Sequence, residues 1–171
     1  MLYLNFISRG INMIKTNHLL IKRIKNDDGQ VASLLADQLL LKQAHLTFST
    51  QPVTSFEINL LLQSVRFMGI YQLKSPQKLI GLILLDQAAS DLPGQLEIGY
   101  LLQQESWGQG IMTEAVAGVL SKLPQSVAAA TDQNNLHSQR VLQKNGFSLV
   151  RQQGSRLIWQ KAGLHGEVKR V

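Results

Sequence analysis

The most constraining stretch of this chain is Glu97-Ile98-Gly99-Tyr100-Leu101-Leu102, followed closely by Trp107-Gly108-Gln109-Gly110-Ile111-Met112-Thr113-Glu114-Ala115. It reads as a strand, a glycine-bearing turn and the start of a helix. Two glycines one residue apart let backbone N–H groups converge on a single point, since neither carries a Cβ to block the approach. A helix starting there adds unsatisfied amides and the positive end of its dipole. Together these make an anion cradle of the kind that holds a pyrophosphate. Taken alone, the pattern is equally that of a tight structural turn.

A second block lies downstream, from Asn135-Leu136-His137-Ser138 through Arg140, Leu142 and Lys144 to Asn145-Gly146-Phe147. Asparagine opens a short helix, and Asn-Gly closes it before a strand. The two blocks are about one βαβ unit apart, the spacing of a right-handed crossover between parallel neighbours.

With both blocks in place the chain resembles the GNAT acetyltransferases, specifically their RimJ/RimL-type (ribosomal-protein N-acetyltransferase) branch. The resemblance rests on Gly99-Tyr100-Leu101-Leu102, on Trp107 to Ala115, and on Asn135 with Ser138, Leu142, Lys144, Gly146 and Phe147. Leu19 to Ile24 and Asp27-Asp28 echo the family's opening strand and acidic helix entry. The likeness spans about residues 14–160 and is specific over about 79–147. It implies an α/β (α+β) fold in the order βααβββαβαββ. That is a central mixed, mostly antiparallel sheet with one parallel, splayed strand pair, flanked by helices.

Bulk properties agree with one soluble domain. The chain has 171 residues, 44% of them apolar and 16% charged, enough for a full core. No apolar run approaches the ~18–20 residues needed to span a bilayer. Residues 1–13 read as an N-terminal extension without the basic start of a signal peptide, and Met13 rivals Met1 as the initiator. Residues 14–161 form the domain, and 162–171 a polar tail. With no cysteine there is no disulfide, thiolate metal site or cysteine nucleophile, and the cytoplasm is the default compartment. The net charge of +6 fits a soluble surface or attraction to phosphates. The basic residues are scattered and do not alternate with aromatics, which argues against direct nucleic-acid binding.

The elements are expected as follows. A strand over 18–25 leads to a helix capped by Asp27-Asp28 and running to about 42. The capping box at Thr54-Ser55-Phe56-Glu57 opens a helix to about 66. Three strands follow over 68–73, 79–86 and 95–102, with Ser75-Pro76-Gln77 as the first turn and a longer turn across 90–94. A helix over 111–122, an alanine-rich strand over 126–131, a helix over 136–145 and a hairpin around Gly154-Ser155 complete the domain.

Moving an acetyl group from a thioester to an amine makes three demands. The phosphates need charge compensation, the amine must be neutral when it attacks, and the oxyanion needs donors. The resemblance implies acetyl-CoA as co-substrate. Its pyrophosphate would lie on Gly108, Gln109, Gly110, Ile111 and Met112, with the Thr113 hydroxyl assisting and Trp107 leading the turn. Leu101, Leu102 and Gln103 would carry the pantetheine arm, with Leu101 and Leu102 chosen for backbone contacts including the oxyanion donor. Asn135 would hold the arm by its amide, or serve as a plain N-cap. Ser138 would face the sulfur, and Arg140 and Lys144 would meet the 3′-phosphate or form a solvated basic face.

Two positions depart from the family. Glu105 stands where the wider superfamily favours Arg or Gln, so it should point away from a pyrophosphate. Leu142 stands where many relatives carry a proton-donating tyrosine, which leaves Ser138 or a water as the acid. Glu97 is the candidate general base. Alternation places it with Gly99 and Leu101 on one face of the strand, opposite Ile98, Tyr100 and Leu102. A structural ion pair is the competing role for Glu97.

The four histidines show no metal-ligand spacing. The expected activity is therefore acetyl-CoA-dependent N-acetylation of a primary amine, on a protein N-terminus or a small molecule, by direct attack in a ternary complex. A homodimer is common among such relatives. The alternatives are a non-catalytic acyl-CoA-binding regulatory domain and a basic ribosome- or RNA-associated module.

Overall fold

The computed structural model describes residues 11–26, 29–37, 40–41, 53–64, 66–86, 92 and 95–163. Eight strands form one sheet: β1 (Met13–Lys15), β2 (Leu19–Arg23), β3 (Arg66–Gln72), β4 (Ser75–Asp86), β5 (Leu96–Leu102), β6 (Val127–Asp132), β7 (Ser148–Gln153) and β8 (Arg156–Lys161). Among the described residues four α-helices accompany them: α1 (Gln30–Leu35), α2 (Ser55–Ser64), α3 (Ile111–Leu120) and α4 (Leu136–Lys144). The strand order is β1-β2-β3-β4-β5-β6-β8-β7. Every neighbouring pair is antiparallel except β5–β6. This is the mixed, helix-flanked α/β sheet expected from the sequence.

Side-chain alternation along the central strands feeds two cores, one on each face. Met68 and Ile70 of β3, with Ile83 and Leu85 of β4, join Ala115, Val116 and Val119 of α3 and Leu142 of α4. Phe67 and Tyr71, with Leu82 and Leu84, meet Val31, Leu34 and Leu35 of α1 and Ile58 and Leu62 of α2. Ile98 and Leu102 belong to the first core and Leu101 to the second, as alternation along β5 requires.

Four details differ from the expectation. A short strand, β1, pairs with β2 at the sheet edge, and Ile11 packs against the core. Three residues carry too little periodicity to announce a strand. The β3–β4 turn is Leu73-Lys74, because Gln72 pairs with Ser75. Beyond that, Tyr71 pairs with Leu79, so Pro76 lies in a bulged stretch where its missing N–H breaks no ladder. The second helix ends at Ser64, and Arg66 already begins β3. The first helix is capped by Gly29 rather than by Asp27 or Asp28 and ends at Leu35, well short of residue 42; residues 42–52, most of the 90–94 turn and the tail beyond Gly163 lie outside the described residues.

Candidate active site

The β5–β6 pair creates the site. Its parallel register comprises Leu96↔Val127 and Glu97↔Ala128 only, after which the strands part. On its other side β5 stays paired with β4 as far as Gly81↔Leu102, and the Gln103 N–H donates to the Ile80 carbonyl. Counting back along an antiparallel ladder, residues 97, 99 and 101 turn their backbone groups to β4. Those of Tyr100 and Leu102 then face the opening. The two leucines singled out from sequence are therefore split. Leu102 turns its N–H toward the gap, while Leu101, whose backbone turns to β4, also borders the cavity. The Leu102 carbonyl accepts from Trp107 Nε1 at 2.7 Å, which fixes the indole beside the strand end.

The helix α3 begins at the mouth of this opening. Gly108 and Gly110 have φ of 73° and 77°, a region costly for any residue with a Cβ. A Cβ built on either would meet nothing within 4 Å, so the space above both is open. Gly110 occupies the N-cap position without a side-chain cap, leaving the first-turn amides to an incoming acceptor. Gln109 turns its side chain back to the Glu105 carbonyl at 2.9 Å. Glu105 is exposed and does not line the cavity.

An acidic residue in the first turn of α3, Glu114, would repel an anion if it faced the cradle. Instead its carboxylate accepts from Thr16 Oγ1 at 2.6 Å, from the His18 N–H at 2.8 Å and lies 3.0 Å from His18 Nδ1. Partial burial works to raise its pKa, but these bonds outweigh it and hold the carboxyl below its usual range. Gly118 faces the Thr16 methyl, allowing the β1–β2 hairpin to sit directly on α3. This contact joins residues nearly a hundred positions apart, beyond the reach of local sequence patterns.

The far wall is α4. Asn135 is its N-cap, with Oδ1 accepting from the Ser138 N–H at 3.1 Å, so the capping role is real. The residue also lines the cavity, leaving its amide nitrogen for a ligand. Ser138 Oγ donates to Tyr100 Oη at 2.8 Å, and Tyr100 Oη donates to the Ser138 carbonyl at 3.1 Å. Burial pushes the Tyr100 phenol well above its ordinary value, against a smaller downward pull from the Ser138 bond. Leu142, where a tyrosine would stand in many relatives, is fully buried. Asn145 Nδ2 reaches the Thr113 carbonyl at 3.3 Å and thereby locks α4 onto the first turn of α3.

These elements enclose a cavity of about 330 Å³, at the lower end of the range for small-molecule sites. Of the residues proposed from sequence, it gathers Leu101, Leu102, Trp107, Gly108, Gly110, Ile111, Met112, Thr113, Asn135, Ser138, Arg140 and Lys144. Gln103, Gln109 and Glu97 are not on its wall. Tyr100, Ser106, His137, Val141 and Leu40 line it without having been singled out. His137 stands 6.0 Å from the Trp107 ring, centroid to centroid. Strand parity placed Tyr100 opposite Glu97, but nothing in the sequence linked it to a serine 38 positions away.

Glu97 sits at the last paired rung before the strands part, on the face opposite Ile98. Its carboxylate lies 3.9 Å from Arg156 on β8, a long ion pair. Leu101 lies four positions further on, about 13 Å along an extended strand at ~3.3 Å per residue. Among the described residues no group of three or more His, Asp or Glu could hold a metal. None of the described helices is long and apolar enough to cross a membrane.

The donors fit an extended ligand bearing a diphosphate: an uncapped helix start at one end, open strand amides along the middle, and a hydroxyl pair on the far wall. Comparison with known proteins agrees. The family model for the GNAT acetyltransferase domain matches residues 18–148, and the chain belongs to that family of transferases. No match is found among curated protein sequences. Among solved structures, a GNAT-family acetyltransferase from Bacillus anthracis superposes with a TM-score of 0.66 at 18% identity, covering 88% of this chain and 98% of its own. The ribosomal-protein-S5-alanine acetyltransferase from Vibrio fischeri gives 0.64 at 16%, covering 91% and 99%. Spermidine N-acetyltransferase from Vibrio cholerae, in complex with CoA and spermine, gives 0.66 at 13%, covering 86% and 97%. At these identities the superpositions speak for the fold.

Proposed function

We propose that this protein is an acetyl-CoA-dependent N-acetyltransferase of the RimJ/RimL-type branch, working in the cytoplasm on a primary amine. The amine belongs to a protein N-terminus or to a small molecule, and attacks directly in a ternary complex. One observation carries this reading: the β5–β6 pair parts after Glu97↔Ala128, leaving strand amides open in the same cavity as the uncapped start of α3. The S5-alanine and spermidine acetyltransferases named above represent the two acceptor classes.

Acetyl-CoA supplies the electrophile, a thioester carbonyl. The chain's own residues do the rest. Gly108, Gly110, Ile111 and Met112 bind the pyrophosphate through backbone N–H groups, aided by the Thr113 hydroxyl. Gln109 contributes its backbone, its side chain being engaged with Glu105. Trp107 braces the turn, Leu102 offers its N–H to the acetyl oxygen, and Gln103 continues the strand at its rim. Asn135 holds the pantetheine amide through its free NH₂. Arg140 and Lys144, exposed on α4, meet the 3′-phosphate. Ser138 serves the departing sulfur. Glu97, on the opposite sheet face and off the cavity wall, takes the ammonium proton through a chain of waters, and Arg156 lies beside its carboxylate.

The test follows CoA release across a panel of amines that includes free-N-terminal peptides and polyamines. Amine-dependent release supports the enzyme, and binding of CoA without release would leave a non-catalytic acyl-CoA domain. In the active reaction Glu97→Gln is expected to lower kcat by about 10²-fold or more, with little change in the KM for acetyl-CoA. Full activity in that variant would remove Glu97 as the base.

A further inference from the structure

The hydroxyl groups on the cavity wall divide between its two ends. Ser106 and Thr113 flank the glycine turn, whereas Ser138 and Tyr100 form a pair across the gap between α4 and β5. We propose that Tyr100 is a positioning residue for the leaving-group end: its phenol holds the Ser138 hydroxyl at the cavity wall and, by turning its own O–H to donate to Ser138 Oγ, frees that hydroxyl's proton to face the departing sulfur. This rests on the acetyl-transfer reading above and deepens it.

Three bonds converge on Ser138. Its N–H is held by Asn135 Oδ1, its carbonyl accepts from Tyr100 Oη, and its Oγ donates to the same phenol. The serine therefore has little freedom in the backbone and one soft coordinate, the rotation of its own O–H. The phenol has the matching freedom. When Tyr100 Oη–H swings from the Ser138 carbonyl to Ser138 Oγ, the Ser138 O–H is released toward the cavity.

The step balances without either hydroxyl being ionised. As the C–S bond breaks, its electron pair passes to sulfur, and the Ser138 O–H donates a hydrogen bond to the developing thiolate. The proton that finally neutralises sulfur is the one the amine has lost, carried by water. Burial favours this division of labour, because a phenol kept protonated is a standing donor and a poor acid. Leu142, buried and apolar, offers no competing donor.

The sulfur itself is the probe. Coenzyme A and its desulfo analogue, in which the thiol is replaced by hydrogen, are titrated into wild type, Tyr100→Phe, Ser138→Ala and the double variant. Wild type is expected to prefer the thiol by about fivefold to tenfold, the worth of one hydrogen bond. Each single variant loses that preference, the double variant loses no more, and Ser138→Thr retains it. With an accepted amine, Tyr100→Phe lowers kcat by about tenfold and leaves the KM for acetyl-CoA within about twofold. Near-additive losses in the double variant would overturn the proposal, since residues acting as a unit are not additive. So would an unchanged thiol preference in Tyr100→Phe, or equal affinity of wild type for the two ligands. Thiol preference without transfer to any amine would overturn the enzymatic reading alone.

Discussion

Gly110 and Gly99 both belong to the sequence blocks that mark the site, yet they answer to different constraints. Gly110 holds a φ of 77° with nothing near its missing Cβ, so backbone handedness alone demands glycine there. Gly99 lies in ordinary strand geometry, where a Cβ would touch only the Leu84 Cβ at 3.9 Å. Gly110→Ala should therefore cost about 1–2 kcal/mol, lower Tm by roughly 2–8 °C, and weaken CoA binding about tenfold as the turn amides tilt. Gly99→Ala should stay within about 0.5 kcal/mol of wild type in the same melting experiment. Calorimetry with CoA and thermal melts of both variants distinguish the two kinds of glycine. Local demands of this sort are legible in sequence, and so was the Asn135 cap. Tyr100 was not, because its partner arrives only through the sheet and the crossover helix. Glu97 could be assigned to a strand face by parity, but its contact with Arg156 depends on β8 being laid beside β6.

At the level of elements, the glycine turn works because α3 is held from behind. The β1–β2 hairpin grips Glu114 through Thr16 and His18 and keeps a carboxylate away from the anion cradle. The folded-state pKa of Glu114 lies below its unfolded value. Its stabilising contribution is thus fully present above the ordinary carboxylate range and disappears as pH falls through the folded value. Melting temperatures of wild type and Glu114→Gln should differ most near neutrality and converge on acidification below about pH 4.5. Equal melting temperatures at every pH would refute the contribution of this contact. Elements with strong periodicity, such as α3 and β5, were readable from the chain to within a residue or two. β1 was not, since a three-residue strand exists only because β2 offers it an edge. The β3–β4 turn was misplaced because Pro76 signals a turn wherever it occurs, and here a bulge accommodates it.

For the molecule as a whole, one sheet separates two cores with different duties. The α3–α4 side frames the cavity, while the α1–α2 side mainly supports the sheet from behind. Phe67 is 1% exposed within the supporting core. Phe67→Ala is expected to cost about 3–5 kcal/mol, while the dissociation constant for CoA, measured well below the melting transition, changes less than about threefold. A large loss of affinity alongside the lost stability would show that the two sides are not separable. The order of strands and helices was foreseeable because the two glycine-marked blocks could be matched to one crossover. The resemblance also implied that the parallel pair would splay, and the structure adds the place where it parts, just after Glu97↔Ala128.

Between β5 and β6 the ladder holds for two residue pairs. The sheet is in effect two unequal panels, five strands and three, sharing a short seam. A guest lying in the gap with polar groups along its length would take the place of the missing rungs. It would then be more than a passenger: by bridging the panels it would stiffen the fold that holds it, and its departure would return the protein to a looser resting form.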